Sequence, residues 1–161
     1  ANKEFAEKLK INFVGQVDAT VIDSVEKYQL TKYCDFTGYL SHTETIQNQQ
    51  KSQVLLLLVN NSPNARSILT GKVFEYLAAK RPIFAIGPSG GDVESLISST
   101  NSGVFVPFDS NSQIEEGLLK LWGWYQKDWE EFNPQNIEKY SRRSLTQRMA
   151  TLLNEITAEN K

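Results

Sequence analysis

Apolar residues along this chain fall into five short runs, separated by longer stretches in which they recur at helical spacing. The runs are Ile11–Gly15, Cys34–Gly38, Val54–Val59, Pro82–Ile86 and Gly103–Val106, and each predicts a strand. Between them, Val21, Ile22, Val25 and Leu30 predict one helix, and Ser41–Gln50 a second, more polar one. Gly71–Lys80 predicts a third. Val93, Leu96 and Ile97 predict a fourth, behind a Gly90-Gly91-Asp92 start that supplies an N-cap. Strands alternating with helices imply right-handed crossovers. The expected class is therefore α/β: a Rossmann-like, doubly wound parallel sheet of about five strands with helices on both faces. Val54–Val59 is apolar without alternation, as a central strand buried on both faces should be.

After the last run the pattern turns helical. Ile114, Leu118, Leu121, Trp122, Tyr125 and Trp129 form a narrow stripe read as core packing. Trp124 falls off that stripe and is expected to be exposed or to meet another domain. Asn133-Pro134 ends the helix. Leu145, Met149, Leu152 and Ile156 define a last amphipathic helix, with Arg142, Arg143 and Arg148 around it. No internal repeat or low-complexity tract interrupts this order, and residues 1–161 read as one domain.

Bulk properties remove some functions. A net charge of -2 gives no support for nucleic acid as a partner, because a phosphate backbone demands a clear basic excess. The one cysteine, Cys34, excludes an internal disulfide and suits a reducing compartment. Its place at the head of a strand reads as a buried structural thiol. No apolar stretch approaches the roughly 20 residues of a membrane span, and no signal-peptide pattern is seen, so a cytoplasmic location is expected.

Candidate chemistry concentrates around the third strand. In a parallel sheet of order 2-1-3-4-5, ligands bind beyond the carboxyl ends of the strands where the order reverses, here between strands one and three. The loops leaving those strands are Gly15-Gln16-Val17-Asp18 and Asn60 to Leu69; the second is long for a strand-to-helix turn. It carries Asn60, Asn61, Ser62 and Arg66 and delivers the chain to Thr70, Gly71 and Lys72. Thr70 can cap the helix, Gly71 admits a ligand to the backbone, and Arg66 can grip a phosphate with two hydrogen bonds. Lys72 lies where the helix dipole is already positive. That placement costs up to about 1 kcal/mol unless an anion binds there or the side chain swings into water. Glu75, beside the stripe Val73, Phe74, Leu77 and Ala78, is either a solvated carboxylate or an acceptor for the vicinal hydroxyls of a ribose or sugar. His42 reads as an incidental loop histidine. No set of Cys, His and carboxylates has metal-ligand spacing, and no nucleophile elbow, Walker loop or dinucleotide fingerprint appears. Gly87–Asp92 reads mainly as a turn into a capped helix, with a ligand contact as its second reading.

Gly71-Lys72-Val73-Phe74-Glu75-Tyr76-Leu77-Ala78-Ala79-Lys80-Arg81-Pro82-Ile83, followed by Gly91-Asp92-Val93-Glu94-Ser95-Leu96-Ile97, resembles the carboxyl-terminal domain of GT-B glycosyltransferases. The nearest likeness is to family 4-like enzymes of bacterial surface polysaccharide synthesis. Phe13-Val14-Gly15 and Gly38-Tyr39-Leu40-Ser41-His42 match further parts of that domain, and the likeness covers most of residues 11 to 107. It implies a domain that binds a nucleotide-diphosphate sugar, with no metal and no further cofactor, while an amino-terminal domain binds the polysaccharide or glycolipid acceptor. By this likeness Glu75 would hold the donor ribose, Thr70, Gly71 and Lys72 would lie by the diphosphate, and the backbone near Tyr39 and Leu40 would read the base. Gly15, Asn60, Arg66 and Ser67 complete the implied donor site, in which Lys72 and Glu75 are the catalytic pair. Peripheral association of the full enzyme with the inner membrane face is also implied. Two departures stand out. Ser67, eight residues before Glu75, occupies a place where the family often has another glutamate. Ala1 to Leu9 looks like a helix tail, as though the domain's first strand were missing, and the isolated chain is expected to be inactive.

Three other readings remain open at this level. One is half of a GT-B sugar-nucleotide epimerase, which a carboxylate and histidine set in another domain would distinguish. Another is a flavodoxin-like binding or assembly module, although strand three ends in Asn60 rather than in the acidic residue a receiver domain needs. The last is a degenerate domain that only mediates association.

Overall fold

In the computed structural model, which describes residues 2–159, all five expected strands form, and they run parallel in two sheets rather than in one. Seven α-helices are found among the described residues. The order is α1 (Lys3–Lys8), β1 (Ile11–Val14), α2 (Ala19–Lys27), β2 (Cys34–Gly38), α3 (His42–Lys51) and β3 (Leu55–Leu58). It continues with α4 (Gly71–Ala79), β4 (Ile83–Gly87), α5 (Asp92–Thr100), β5 (Gly103–Pro107), α6 (Asn111–Gln126) and α7 (Arg142–Glu159). Ala1, where the expected helix tail starts, lies outside the described residues. The α/β class with parallel strands and flanking helices is as the pattern predicts. None of the described helices is long and apolar enough to cross a membrane.

The contacts divide the chain into two units, one ending at Asn48 and one starting at Gln49. In the first, β1 and β2 pair in register from Ile11 opposite Cys34 to Val14 opposite Gly38, with an irregularity between Phe13 and Val14. The rings of Phe13 and Phe36 stack at 5.0 Å, and the Thr37 hydroxyl donates to Asn12 Oδ1 at 2.6 Å. Cys34 heads β2 as expected, but its thiol is free and only half-buried, not a core thiol. His42 is the first residue of α3 instead of a loop residue.

The second unit is a three-stranded sheet, β3-β4-β5, covered on both faces. Alternation along the central strand explains the two layers. Ile83 and Ala85 of β4 join Leu57, Val73, Leu77, Val93, Leu96 and Ile97, which places α4 and α5 on one face. Phe84 joins Val104, Val106, Leu121 and Trp124 on the other, beneath α6. The strand buried on both faces is therefore β4. Leu56 and Leu58 of β3 are 46% and 61% exposed, because β3 is the edge of its sheet and α6 packs on β5 and β4.

Further differences follow in the helices. Trp124 is 5% exposed and lies in the α6-side core, while Leu118 and Tyr125 of the expected stripe are on the exposed side. Ala78 of the expected α4 stripe is exposed. α6 ends at Gln126, before Asn133-Pro134, and Asp128 and Trp129 take left-handed backbone angles just after it. Trp129 still packs on the core, from outside the helix.

Candidate functional site

Helix α4 starts where the loop from β3 meets the sheet's carboxyl edge. That loop is folded by turns: the Ser62 N–H donates to the Asn60 carbonyl, the Ala65 N–H to Ser62, and the Ser67 N–H to Asn64. The buried methyl of Ala65 pins a short 3-10 turn, Ala65–Ser67. The Arg66 backbone lies so close to Gly91, in the turn after β4, that a Cβ on Gly91 would stand 3.1 Å from the Arg66 carbonyl oxygen. The loops after β3 and β4 therefore pack against each other.

Thr70 holds the N-cap position of α4, with extended φ and ψ of -76° and 150°, but does not cap it, contrary to what its type predicts. Its side chain makes no capping hydrogen bond, and the first turn has no acidic residue. Lys72 is the second helical residue. The other helix starts are served from within the chain. Asn2, Asp18 and Ser110 each accept a backbone N–H at the starts of α1, α2 and α6. Ser41 and Glu44 bond each other's N–H groups at α3, and the Ser144 N–H donates to Ser141 Oγ at α7. At α5 no side chain caps the N-cap residue Gly91, but Asp92 and Glu94 put carboxylates in the first turn, and Glu94 Oε2 accepts the Gly90 N–H just ahead of it at 2.6 Å. Among the described α-helices, α4 alone presents its N-terminus with neither a side-chain cap nor a carboxylate in its first turn, and with a cation instead. A helix end in that state has its strongest affinity for an anion.

The expected site residues of this unit gather along one stretch. Asn60, Arg66, Ser67, Thr70, Gly71, Lys72 and Glu75 are all exposed, and nothing lies within 4 Å of where a Cβ on Gly71 would be. They form an open surface rather than an enclosed pocket. Glu75 lies one turn beyond Lys72, and Gln49 Nε2 donates to its Oε2 at 3.5 Å. Gly15, Tyr39 and Leu40 belong to the first unit. There the Gly15 N–H donates to the Gly38 carbonyl at 2.7 Å, joining the ends of β1 and β2. Asp18 in the same loop is a structural cap: the hydroxyl and N–H of Thr20 hold its carboxyl below the ordinary 3.8.

Glu94 was not singled out from the sequence, although a glutamate in the third helical position behind Gly-Gly is a recognisable sign of an acid reaching back to a helix start. Its bond occupies the Gly90 N–H, one residue ahead of the N-cap position, which Gly91 holds; Asp92 is the first helical residue, and the side-chain cap expected from Gly90-Gly91-Asp92 is not made. Among the described residues no group of three or more His, Cys, Asp or Glu could hold a metal ion.

Tyr76, beside Glu75, gives a pH prediction. Burial pushes its phenol above the ordinary 10.0, and the Glu75 carboxylate adds to this. The folded chain thus keeps a proton that the unfolded chain releases at lower pH. Its contribution to stability is complete below about pH 10 and is lost as pH rises through the folded value. Alkaline denaturation followed by tyrosinate absorbance should show this component, and Tyr76→Phe should remove it. An unchanged alkaline limb in that variant would refute the assignment.

No protein-family model and no curated protein matches this chain.

Proposed function

We propose that the second unit binds the diphosphate of a nucleotide-diphosphate sugar at the start of α4, as the donor-binding domain of a glycosyltransferase. The carrying observation is the helix start that has no side-chain capping bond, no acid in its first turn and an adjacent cation. A diphosphate would accept hydrogen bonds from the Gly71 and Lys72 N–H groups there and pair with the Lys72 ammonium, with Arg66 in the preceding loop available for a second ionic contact. Glu75 is exposed one turn away and, as a carboxylate, accepts hydrogen bonds from ribose hydroxyls. The catalytic part is electrostatic. As the bond from sugar to diphosphate breaks, negative charge grows on the leaving oxygen, and Lys72 with the helix N-terminus stabilises it. Nothing in this step requires a metal.

In this reading the acceptor and the remaining catalytic groups come from another domain, the reaction takes place in the cytoplasm at the membrane face, and the product is a polysaccharide or glycolipid. The resemblance of Gly71–Ile83 to GT-B enzymes supports the substrate class, while Ser67 leaves donor-sugar contacts to other residues.

Calorimetric titration with uridine, guanosine and adenosine diphosphates is the test. At least one should bind, and Lys72→Ala should weaken it about tenfold, as expected for an exposed charge-assisted contact. Glu75→Ala should weaken the nucleotide and leave inorganic pyrophosphate unchanged. Absence of binding by every nucleotide, or binding indifferent to both substitutions, would end the proposal.

A further inference from the structure

We propose that Gln49 is a positioning residue for the donor site: its hydrogen bond to Glu75 fixes the carboxylate so that the site selects ribose over 2′-deoxyribose. This inference rests on the donor-site reading and adds to it a residue and a specificity. Gln49 begins the second unit, in the last turn of α3, and is half-buried, whereas Glu75 is exposed in the second turn of α4. The Gln49 amide Nε2 donates to Glu75 Oε2 at 3.5 Å. Both ends of that bond are held by independent contacts. The Arg81 Nε–H donates to the Gln50 carbonyl at 2.6 Å, which ties the end of α3 to the segment between α4 and β4. Val73 and Leu77, on either side of Glu75, are buried and fix α4 in the core. The helix backbone beneath Glu75 is thus set, and what remains free is the carboxylate at the end of a long side chain.

An exposed glutamate loses rotamer freedom when a ligand immobilises it, and a partner that orders it beforehand lowers that cost. Gln49 is such a partner. Its amide takes one acceptor position of the carboxylate and leaves Oε1 whole for the ligand. A neutral donor also leaves the acid its full charge. A single hydroxyl can be met from several side-chain rotamers. Two vicinal hydroxyls must be met by one carboxylate in one plane, so only the pair gains fully from an orientation set in advance. In a ribonucleotide the 2′-hydroxyl completes that pair; a 2′-deoxyribonucleotide lacks it.

Calorimetric titration of the whole chain with whichever of the uridine, guanosine or adenosine diphosphates binds, and with its 2′-deoxy form, tests this. The ribonucleotide should bind about tenfold tighter, as expected for one more hydrogen bond to a charged group. Gln49→Met keeps the side-chain length and removes the donor. It should lower that ratio about threefold, the effect of losing one pre-ordered side chain, and leave inorganic pyrophosphate binding and the urea unfolding midpoint unchanged. In a Glu75→Ala background the same substitution should leave the ratio unchanged. A ratio untouched by Gln49→Met, a fall that persists without Glu75, or an equal loss for pyrophosphate would overturn the inference while the diphosphate site stands. Failure of every nucleotide to bind would remove the donor-site reading and this inference with it.

Discussion

Gly103→Ala should cost about 4 kcal/mol or more, among the largest effects of any single substitution here. Gly103 opens β5 directly opposite Ile83 of the central strand. A Cβ at that position would stand 1.9 Å from the Ile83 carbonyl oxygen and 2.6 Å from its nitrogen. No rotamer relieves this, because both partners are backbone, and Ile83 is itself fully buried. Either β5 moves away from β4, breaking the ladder that runs from Ile83–Gly103 to Gly87–Pro107, or β4 shifts within both core layers. Native domains are stable by only about 5–15 kcal/mol, so the variant should lose much of its cooperative unfolding. Denaturant unfolding followed by tryptophan fluorescence measures it. A loss below about 1 kcal/mol would mean that the strands do not approach this closely.

Trp124→Ala should destabilise by about 3–5 kcal/mol, the usual range for removing a buried large aromatic. The indole packs with Phe84, Val104, Val106 and Leu121, its ring lies 6.0 Å from that of Phe132, and the Lys120 ammonium sits 5.3 Å above it. An exposed tryptophan, one of the two expectations from the helical stripe, would instead change stability by no more than about 0.5 kcal/mol. The two outcomes are far enough apart for one urea titration to separate them. Trp124→Phe, which keeps much of the volume, should recover part of the loss.

The misplacement of Trp124 has an identifiable cause. The buried positions of α6 include Gly117, Leu121 and Trp124, which share one face. Gly117 has no apolar side chain, so hydrophobic spacing alone centres the stripe on Leu118, Leu121 and Tyr125. It is at Gly117 that the helix comes nearest the sheet: a Cβ there would stand 2.9 Å from both Phe84 and Val106. Spacing registers side chains that are present and misses a contact made because one is absent. Leu55–Leu58 misleads in a related way. Four successive leucines suggest burial on both faces, but Leu56 and Leu58 lie at a sheet edge. Hydrophobicity marks residues able to be buried; strand order decides which are.

The start of α4 was easier to read. A threonine before Gly-Lys at a helix start, after a long loop, is a local pattern, and the fold keeps Thr70, Gly71 and Lys72 at that start. What local pattern could not supply was the contrast with the other helices. That Asn2, Asp18 and Ser110 cap their helices while Thr70 leaves α4 uncapped depends on where side chains reach in space.

The sequence by itself determined the alternation of strands and helices, the parallel pairing of neighbours, and the stretch that opens α4. Each of these depends on residues close together along the chain. Only the tertiary structure decided that the strands divide into two sheets, that β4 is the strand covered on both faces, and that Trp124 is core. These outcomes depend on distant segments competing for the same apolar surface, and no local periodicity encodes the winner.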